Sequence, residues 1–266
     1  QSVQRSSGKH YEWATKGLVP RCRVARSLWM DHCEYRSGAL KLRFDNRLEE
    51  GLHRFTFEAR SASSRPAIEG HLNARHDLNR IHPLVACMPM DGGHAMYTHK
   101  VPLPVQGEIR IGDEHYRFAS DEAIAFSDVH KAYYPRNSWW DWACLAFRTQ
   151  DGRVCGVNLT HNLAKNPSRY NENILWLDGK PIRLGLARFE RQRGDLMQPW
   201  RVHTDCGRAD LVFRPSGGRK EDLNIGLLES RFQQLYGTWS GRLQYGEERI
   251  EFDEAMGLGE DHDCRW

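Results

Sequence analysis

The feature that most constrains this chain is an alternation of apolar and polar residues with a period of two, repeated along most of its length. Successive side chains of a β-strand point to opposite faces, so this period marks strands with one buried face. Leu40, Leu42 and Phe44 alternate with Lys41, Arg43 and Asp45, and Phe55 and Phe57 with Arg54, Thr56 and Glu58. Ala209, Leu211 and Phe213 face one way, with Asp210, Val212 and Arg214 opposite. Turn residues separate the runs and predict hairpins. Gly112-Asp113 follows Val105, Ile109 and Ile111; Gln150-Asp151-Gly152 follows a Trp-rich strand at 138–147. Asp178-Gly179-Lys180 follows Asn173 to Leu177, and Gly246 closes Trp239, Gly241, Leu243 and Tyr245. No segment holds a helical period for more than two turns; a short helix is expected only at Asp77 to Ile81.

Short strands with regular turns predict an all-β protein of two antiparallel β domains, each a sandwich or barrel. The boundary is set near residues 119–127, where the hairpin series ends and an aromatic-rich half begins. This gives an N-terminal domain at 1–122 and a C-terminal domain at 123–266, with the first expected to be sandwich-like.

Several function classes are excluded early. The formal net charge is +3, from 38 basic and 35 acidic residues, and no Lys/Arg run occurs. No nucleic-acid partner is expected from such a balance, whereas weak peripheral contact with an anionic membrane surface is compatible with it. The longest apolar run is six residues, Trp142 to Phe147, too short for a membrane-spanning helix. The seven cysteines are scattered without a Cys-x-x-Cys pair, so free thiols and a cytoplasmic, reducing location are expected. No His-Glu-x-x-His helix, phosphate loop, dinucleotide turn or Gly-x-Ser-x-Gly elbow is present, so neither a metal nor a cofactor is expected.

Three constellations carry chemistry. The first runs from Asp128 through His130, Lys131, Tyr133, Tyr134, Arg136, Trp139, Trp140, Asp141 and Trp142 to Ala143. On a strand, Trp139, Asp141 and Ala143 share one face, with Trp140 and Trp142 on the other. A carboxylate between indoles is partly desolvated, which raises an acid's pKa toward useful values. The second is Glu260-Asp261-His262-Asp263 near the C-terminus, four consecutive ionisable residues able to supply a general acid and its modulator. The third is a set of polar residues inside apolar strands: Asn158, Asn171-Glu172-Asn173, Arg231 and Gln233. Buried, each needs a hydrogen-bond partner or forms the polar floor of a pocket.

These motifs together resemble a known family. Lys131-Ala-Tyr-Tyr-Pro-Arg-Asn-Ser-Trp-Trp-Asp-Trp-Ala, Gly156-Val-Asn-Leu, Asn171-Glu-Asn and Pro199-Trp-Arg-Val are similar, in order and spacing, to those of domain of unknown function 2804. So are Gln234-Leu-Tyr-Gly-Thr-Trp-Ser-Gly and Gly259-Glu-Asp-His-Asp-Cys-Arg-Trp. The resemblance runs from about residue 17 to the end. Family members usually carry a further N-terminal portion, so the first domain is expected to be truncated here. The layout also resembles, more remotely, the tandem lipocalin-like β proteins, which include carotenoid hydratases and Diels–Alderase-type cyclases. That resemblance implies a lipocalin-like barrel for the C-terminal domain. Asp261-His262-Asp263 is similar to an Asp-His-Asn run of the hydratases, where a nearby acid protonates a carbon–carbon double bond; Asp263 departs from the Asn.

The leading expectation is a cofactor-independent hydratase, isomerase or cyclase acting on an apolar small molecule in a β-barrel cavity. Asp261 or Asp141 would be the proton donor and His130 or His262 would position or recycle the proton. Tyr133, Arg136, Trp139, Trp142, Asn158, Glu172, Arg231 and Gln233 would line the substrate site. Two alternatives stand beside it: a non-catalytic lipid or isoprenoid carrier, and a glycoside hydrolase with Trp platforms and paired carboxylates in an open cleft.

Overall fold

The computed structural model describes residues 2–4, 9–13 and 21–266. Among the described residues there is no α-helix, and no helix long and apolar enough to cross a membrane. The strands are β1 Ser2–Gln4, β2 Lys9–Tyr11, β3 Arg21–Arg23, β4 Asp31–Arg36, β5 Leu40–Arg47, β6 Leu52–Ala59 and β7 Ile68–Arg75. They continue with β8 Leu84–Pro89, β9 Ala95–Ile111, β10 Glu114–Tyr133, β11 Asn137–Arg148, β12 Val154–Asn162, β13 Ile174–Leu177 and β14 Lys180–Arg183. The last five are β15 Ala187–Glu190, β16 Trp200–Thr204, β17 Ala209–Asn224, β18 Glu229–Tyr245 and β19 Glu248–Arg265. The expected helix at Asp77 to Ile81 is instead a turn, because the Asp77 carboxylate accepts from the Asn79 N–H at 3.0 Å and holds the chain in a tight bend.

The chain divides into two compact units, residues 1–79 with 103–125 and residues 80–102 with 126–266. Both units are therefore discontinuous in sequence, with residues 80–102 joining the second and 103–125 returning to the first.

In the first unit the long strands run in the order β10-β9-β7-β6-β5-β4-β3, every resolved pairing antiparallel. They form one continuous sheet, with β8 paired to β9 as its eighth strand and β1 and β2 as a separate two-stranded pair. The period-two pattern places Phe44 directly opposite Phe55, with ring centroids 5.7 Å apart. Phe57 lies over Gly70 on the next strand, where any side chain would strike its ring.

The second unit holds a nine-stranded antiparallel sheet in the order β14-β13-β12-β11-β19-β18-β17-β16-β15. Its terminal strands are not hydrogen-bonded to each other, yet side chains from both ends share one core, so the sheet curls into a half-barrel. That core contains Ala143, Leu145, Val157, Leu159, Leu175, Val202, Leu211 and Leu243 around the fully buried Trp200, Phe213 and Trp239. Phe213 stacks on Trp239 at 4.6 Å and meets Trp200 edge-on at 5.4 Å. Gly259 passes these rings so closely that an added Cβ would lie 2.8 Å from Phe213 and 2.9 Å from Trp200. The inner face of the half-barrel is therefore a packed core.

Turn chemistry matches the sequence. Asp178 and Gly179 both adopt positive φ (48° and 78°), the conformation of a two-residue hairpin turn between β13 and β14.

Candidate functional site

Strand alternation sorts the second unit's polar residues by face. Ala143, Leu159 and Leu235 point into the core. Trp142, Thr160, Gln234 and Glu260 each neighbour one of these or its cross-strand partner in sequence, so they point the other way. Over that outer face lie residues 84–102 and 126–134, from β8, β9 and β10 of the same unit. Between them is a cavity of about 330 Å³. Its walls are Trp139, Trp140, Trp142, Tyr134, Met90, Met96 and Leu163, and its polar groups include Lys100, Asp128, His130, Glu172 and Glu260. The volume is at the small end of ligand pockets, which span roughly 300–1,000 Å³.

The ionised groups are tightly organised. Lys100 is buried with its Nζ 3.0 Å from Asp128 and 3.5 Å from Glu172, and 5.3 Å from the centre of the Trp142 ring. Burial opposes its charge, but Glu172 and Asp128 outweigh that and hold its pKa above the ordinary lysine value. Glu172 also accepts from Thr160 Oγ1 at 3.2 Å. Glu260 is buried too, and burial raises its carboxyl above the ordinary value. Trp140 Nε1 donates to its Oε1 at 2.6 Å and Gln234 Nε2 to its Oε2 at 2.8 Å, which partly offsets the rise. Behind this layer, burial pushes the Cys144 thiol up to about 12, so it packs as a neutral group. Among the described residues no group of three His, Cys, Asp or Glu side chains is arranged to hold a metal ion.

The profile of the family described as domain of unknown function (DUF2804) matches residues 6–266. The chain belongs to this family. No curated protein matches the chain. One solved structure with a related outline is kievitone hydratase from Nectria haematococca, at 9% identity, with a TM-score of 0.44. That match covers 89% of this chain and 85% of the hydratase chain.

In this DUF2804 chain the residues expected to act together fall into separate places. Trp139, Trp142, His130 and Glu172 line the outer-face cavity. Asn158 lies beneath it, fully buried, and positions the wall: its Oδ1 accepts from Trp142 Nε1 at 2.7 Å, and its Nδ2 donates to the Glu172 backbone oxygen at 2.8 Å. Asp141 and Asp261 are a register pair on the inner face, where both accept from the buried guanidinium of Arg191. A carboxylate committed as acceptor to a shared guanidinium is poorly placed to give a proton to carbon. Asp261 and Asp141 thus lie on the opposite face from the cavity, contrary to the expectation that either would donate a proton there, whereas the neighbouring Glu260 lines it.

Other expectations change for similar reasons. The β-barrel cavity is not inside the barrel, because Trp200, Phe213 and Trp239 fill that space. Tyr133 is exposed and stacks on His94 at 4.6 Å, outside the cavity. Arg136 donates to the Trp266 backbone oxygen at 2.8 Å, and Arg231 pairs with Asp263 at the surface. Gln233 faces the opposite side from Gln234, in register with Asp261. His262 shares the outer face with Glu260, but its ring is engaged with Trp140 at 4.2 Å and with Ser230 Oγ at 3.1 Å.

Lys100, Gln234 and Arg191 belong to none of the three constellations that the sequence marks. Lys100 comes from a segment with no motif signal, and only the fold of β9 over the sheet brings it to Trp142. Asp128 and Glu260 stand inside the two dense motifs, and the alternation of Glu260 against Asp261 is the available signal.

Proposed function

We propose that this protein is an enzyme that protonates a carbon–carbon double bond of a small, largely apolar molecule, in a hydration or isomerisation reaction drawing on its own side chains. The observation that carries this reading is Glu260: a buried carboxyl with a raised pKa, beside a cavity lined by the indoles of Trp140 and Trp142. Burial raises this carboxyl's pKa and so favours the protonated form, which is the one that can donate.

The Glu260 O–H would transfer its proton to one alkene carbon, the π electrons forming the new C–H bond and leaving the adjacent carbon cationic. Trp140 and Trp142, on the face of the sheet that the cavity covers, are the indoles placed to stabilise that charge. Around Lys100, one ammonium meets two carboxylates, so this wall carries surplus negative charge that favours a cation over an anion. In hydration, a water oxygen would bond to the cationic carbon and its surplus proton would return to Glu260 by way of His130 or Asp128. In isomerisation, a neighbouring C–H would release the proton instead. Lys100 is held charged and so acts electrostatically, not as an amine nucleophile.

A glycoside hydrolase would use its carboxylates differently. Asp141 and Asp261 are paired across strands, but through Arg191 and away from the cavity, and Glu172 is committed to Lys100. A carrier would need the aromatic walls but not the buried acid.

The test is incubation with a panel of unsaturated isoprenoid and phenolic compounds in deuterium oxide, followed by mass spectrometry. Deuterium on carbon, lost in Glu260→Gln, is the expected result. Stoichiometric binding with every compound returned undeuterated would establish a carrier, and undiminished exchange in Glu260→Gln would remove the acid from its role.

A further inference from the structure

The turn joining β17 to β18 breaks the ordinary chemistry of turns, which favours Gly, Asn, Asp and Ser. Here Ile225, Leu227 and Leu228 surround Gly226, with Leu223 just below them. Gly226 takes φ 80°, and the Ile225 N–H donates to the Leu228 oxygen at 3.0 Å, so the turn is formed. All four aliphatic side chains are exposed, Leu227 by 76% and Ile225 by 62%. Residues 220–229 are exposed without a break, so the end of this hairpin stands clear of the half-barrel core.

The surroundings point to what covers it. Arg136 Nη2 donates to the Leu227 oxygen at 3.4 Å and Arg265 Nη2 to the Gly226 oxygen at 2.9 Å, so two guanidinium groups flank the tip. The Arg136 oxygen accepts from the Trp266 N–H at 2.9 Å, which holds a half-exposed indole beside them. Exposed aliphatic side chains with an indole and guanidinium groups beside them are the mixture met where the acyl region of a bilayer meets its headgroups. Behind the turn come the carboxylates Glu229, paired with Arg265 at 3.2 Å, and Asp222, next to Leu223 and opposite Arg231.

We propose that this hairpin tip inserts shallowly into a phospholipid bilayer, with Trp266 and the free N–H groups of Arg136 and Arg265 at headgroup level. A second copy of the chain fits the feature less well. A stable protein interface buries roughly 800 Å² on each partner, more than one convex turn presents, whereas a fluid bilayer needs no matching pocket. The proposal stands on this hairpin alone and does not depend on the chemistry in the cavity.

Co-sedimentation with vesicles of phosphatidylcholine, and of equal parts phosphatidylcholine and phosphatidylserine, tests it. The wild-type protein is expected to sediment with vesicles, and Leu227→Asp and Ile225→Asp to lower its partition coefficient by about tenfold or more each. Their thermal midpoints should match the wild type, because both side chains are already in water. Wild-type protein that stays in the supernatant with both compositions overturns the proposal, as does unchanged binding of the two variants. A wild-type dimer converted to monomer by Leu227→Asp also overturns it, by giving the tip to a second copy.

Discussion

Trp140 and Glu260 are joined by a hydrogen bond of 2.6 Å on the outer face of the half-barrel, while the next residues along each strand, Asp141 and Asp261, share Arg191 on the inner face. One step along two paired strands thus separates an acid in an aromatic cavity from an ion cluster at the end of the core. The indole N–H stabilises the ionised form of Glu260, so removing it should raise the acid's pKa further. In Trp140→Phe the alkaline limb of the deuterium-exchange profile is expected to move to higher pH. A limb that stays in place would show that this bond does not tune the acid.

The same raised pKa makes a stability prediction independent of any substrate. Between the ordinary glutamate value and the raised one, the folded protein holds a proton that the unfolded chain has lost, so stability falls as pH rises. The contribution is complete below the ordinary value and is gone once pH passes the raised one. Glu260→Gln cannot ionise there. Urea unfolding across that window should show the variant gaining on the wild type as pH rises, with a constant difference above it. A difference that does not change with pH would mean the carboxyl is solvated.

Lys100 is compensated from two sides, and its removal should be costly in a specific way. Lys100→Met leaves Asp128 and Glu172 facing each other in a buried site, which is expected to cost about 3–5 kcal/mol. Adding Glu172→Gln should restore part of that loss, because one uncompensated charge is then gone. Urea midpoints of the single and double variants measure both steps. A double variant less stable than Lys100→Met would exclude charge as the cause.

The strand content of the chain was legible because one buried face per strand writes a period of two, and hairpin turns leave residues such as Asp178-Gly179. The opposite facing of Trp139 with Asp141 and of Trp140 with Trp142 follows from the same rule, and it is what the paired strands show. The location of the cavity was not legible. Nothing in the local pattern tells whether the face bearing Trp142 and Glu260 looks into the curl of the sheet or away from it. That depends on the direction of curl, set by which face carries the larger side chains from distant strands, here Trp200, Phe213 and Trp239. The sequence therefore does not separate Asp261 from Glu260 as the acid at the cavity, since adjacent residues on a strand differ in face. Arg191 lies in a loop of no marked composition, so its bridging role depended wholly on tertiary placement.

That bridge yields the sharpest contrast with the Glu260 predictions. Arg191 is almost wholly buried, stacked 5.3 Å from the Trp200 ring, and its pKa is held above its ordinary value by Asp261 and Asp141 against the opposing effect of burial. Arg191→Met removes the cation and leaves two carboxylates in register with each other, a loss expected to be about 3–5 kcal/mol. Asp261→Asn keeps the Arg191–Asp141 pair and a polar group at the site, so the cost should be smaller, about 1–3 kcal/mol. Because Asp261 points away from the cavity, the rate of deuterium transfer per folded molecule should change little in Asp261→Asn, whereas Glu260→Gln should abolish it at little cost in stability. Urea unfolding and exchange measured on the same preparations separate the two roles. An Asp261→Asn variant that is fully stable and inactive would return the proton donor to the inner face.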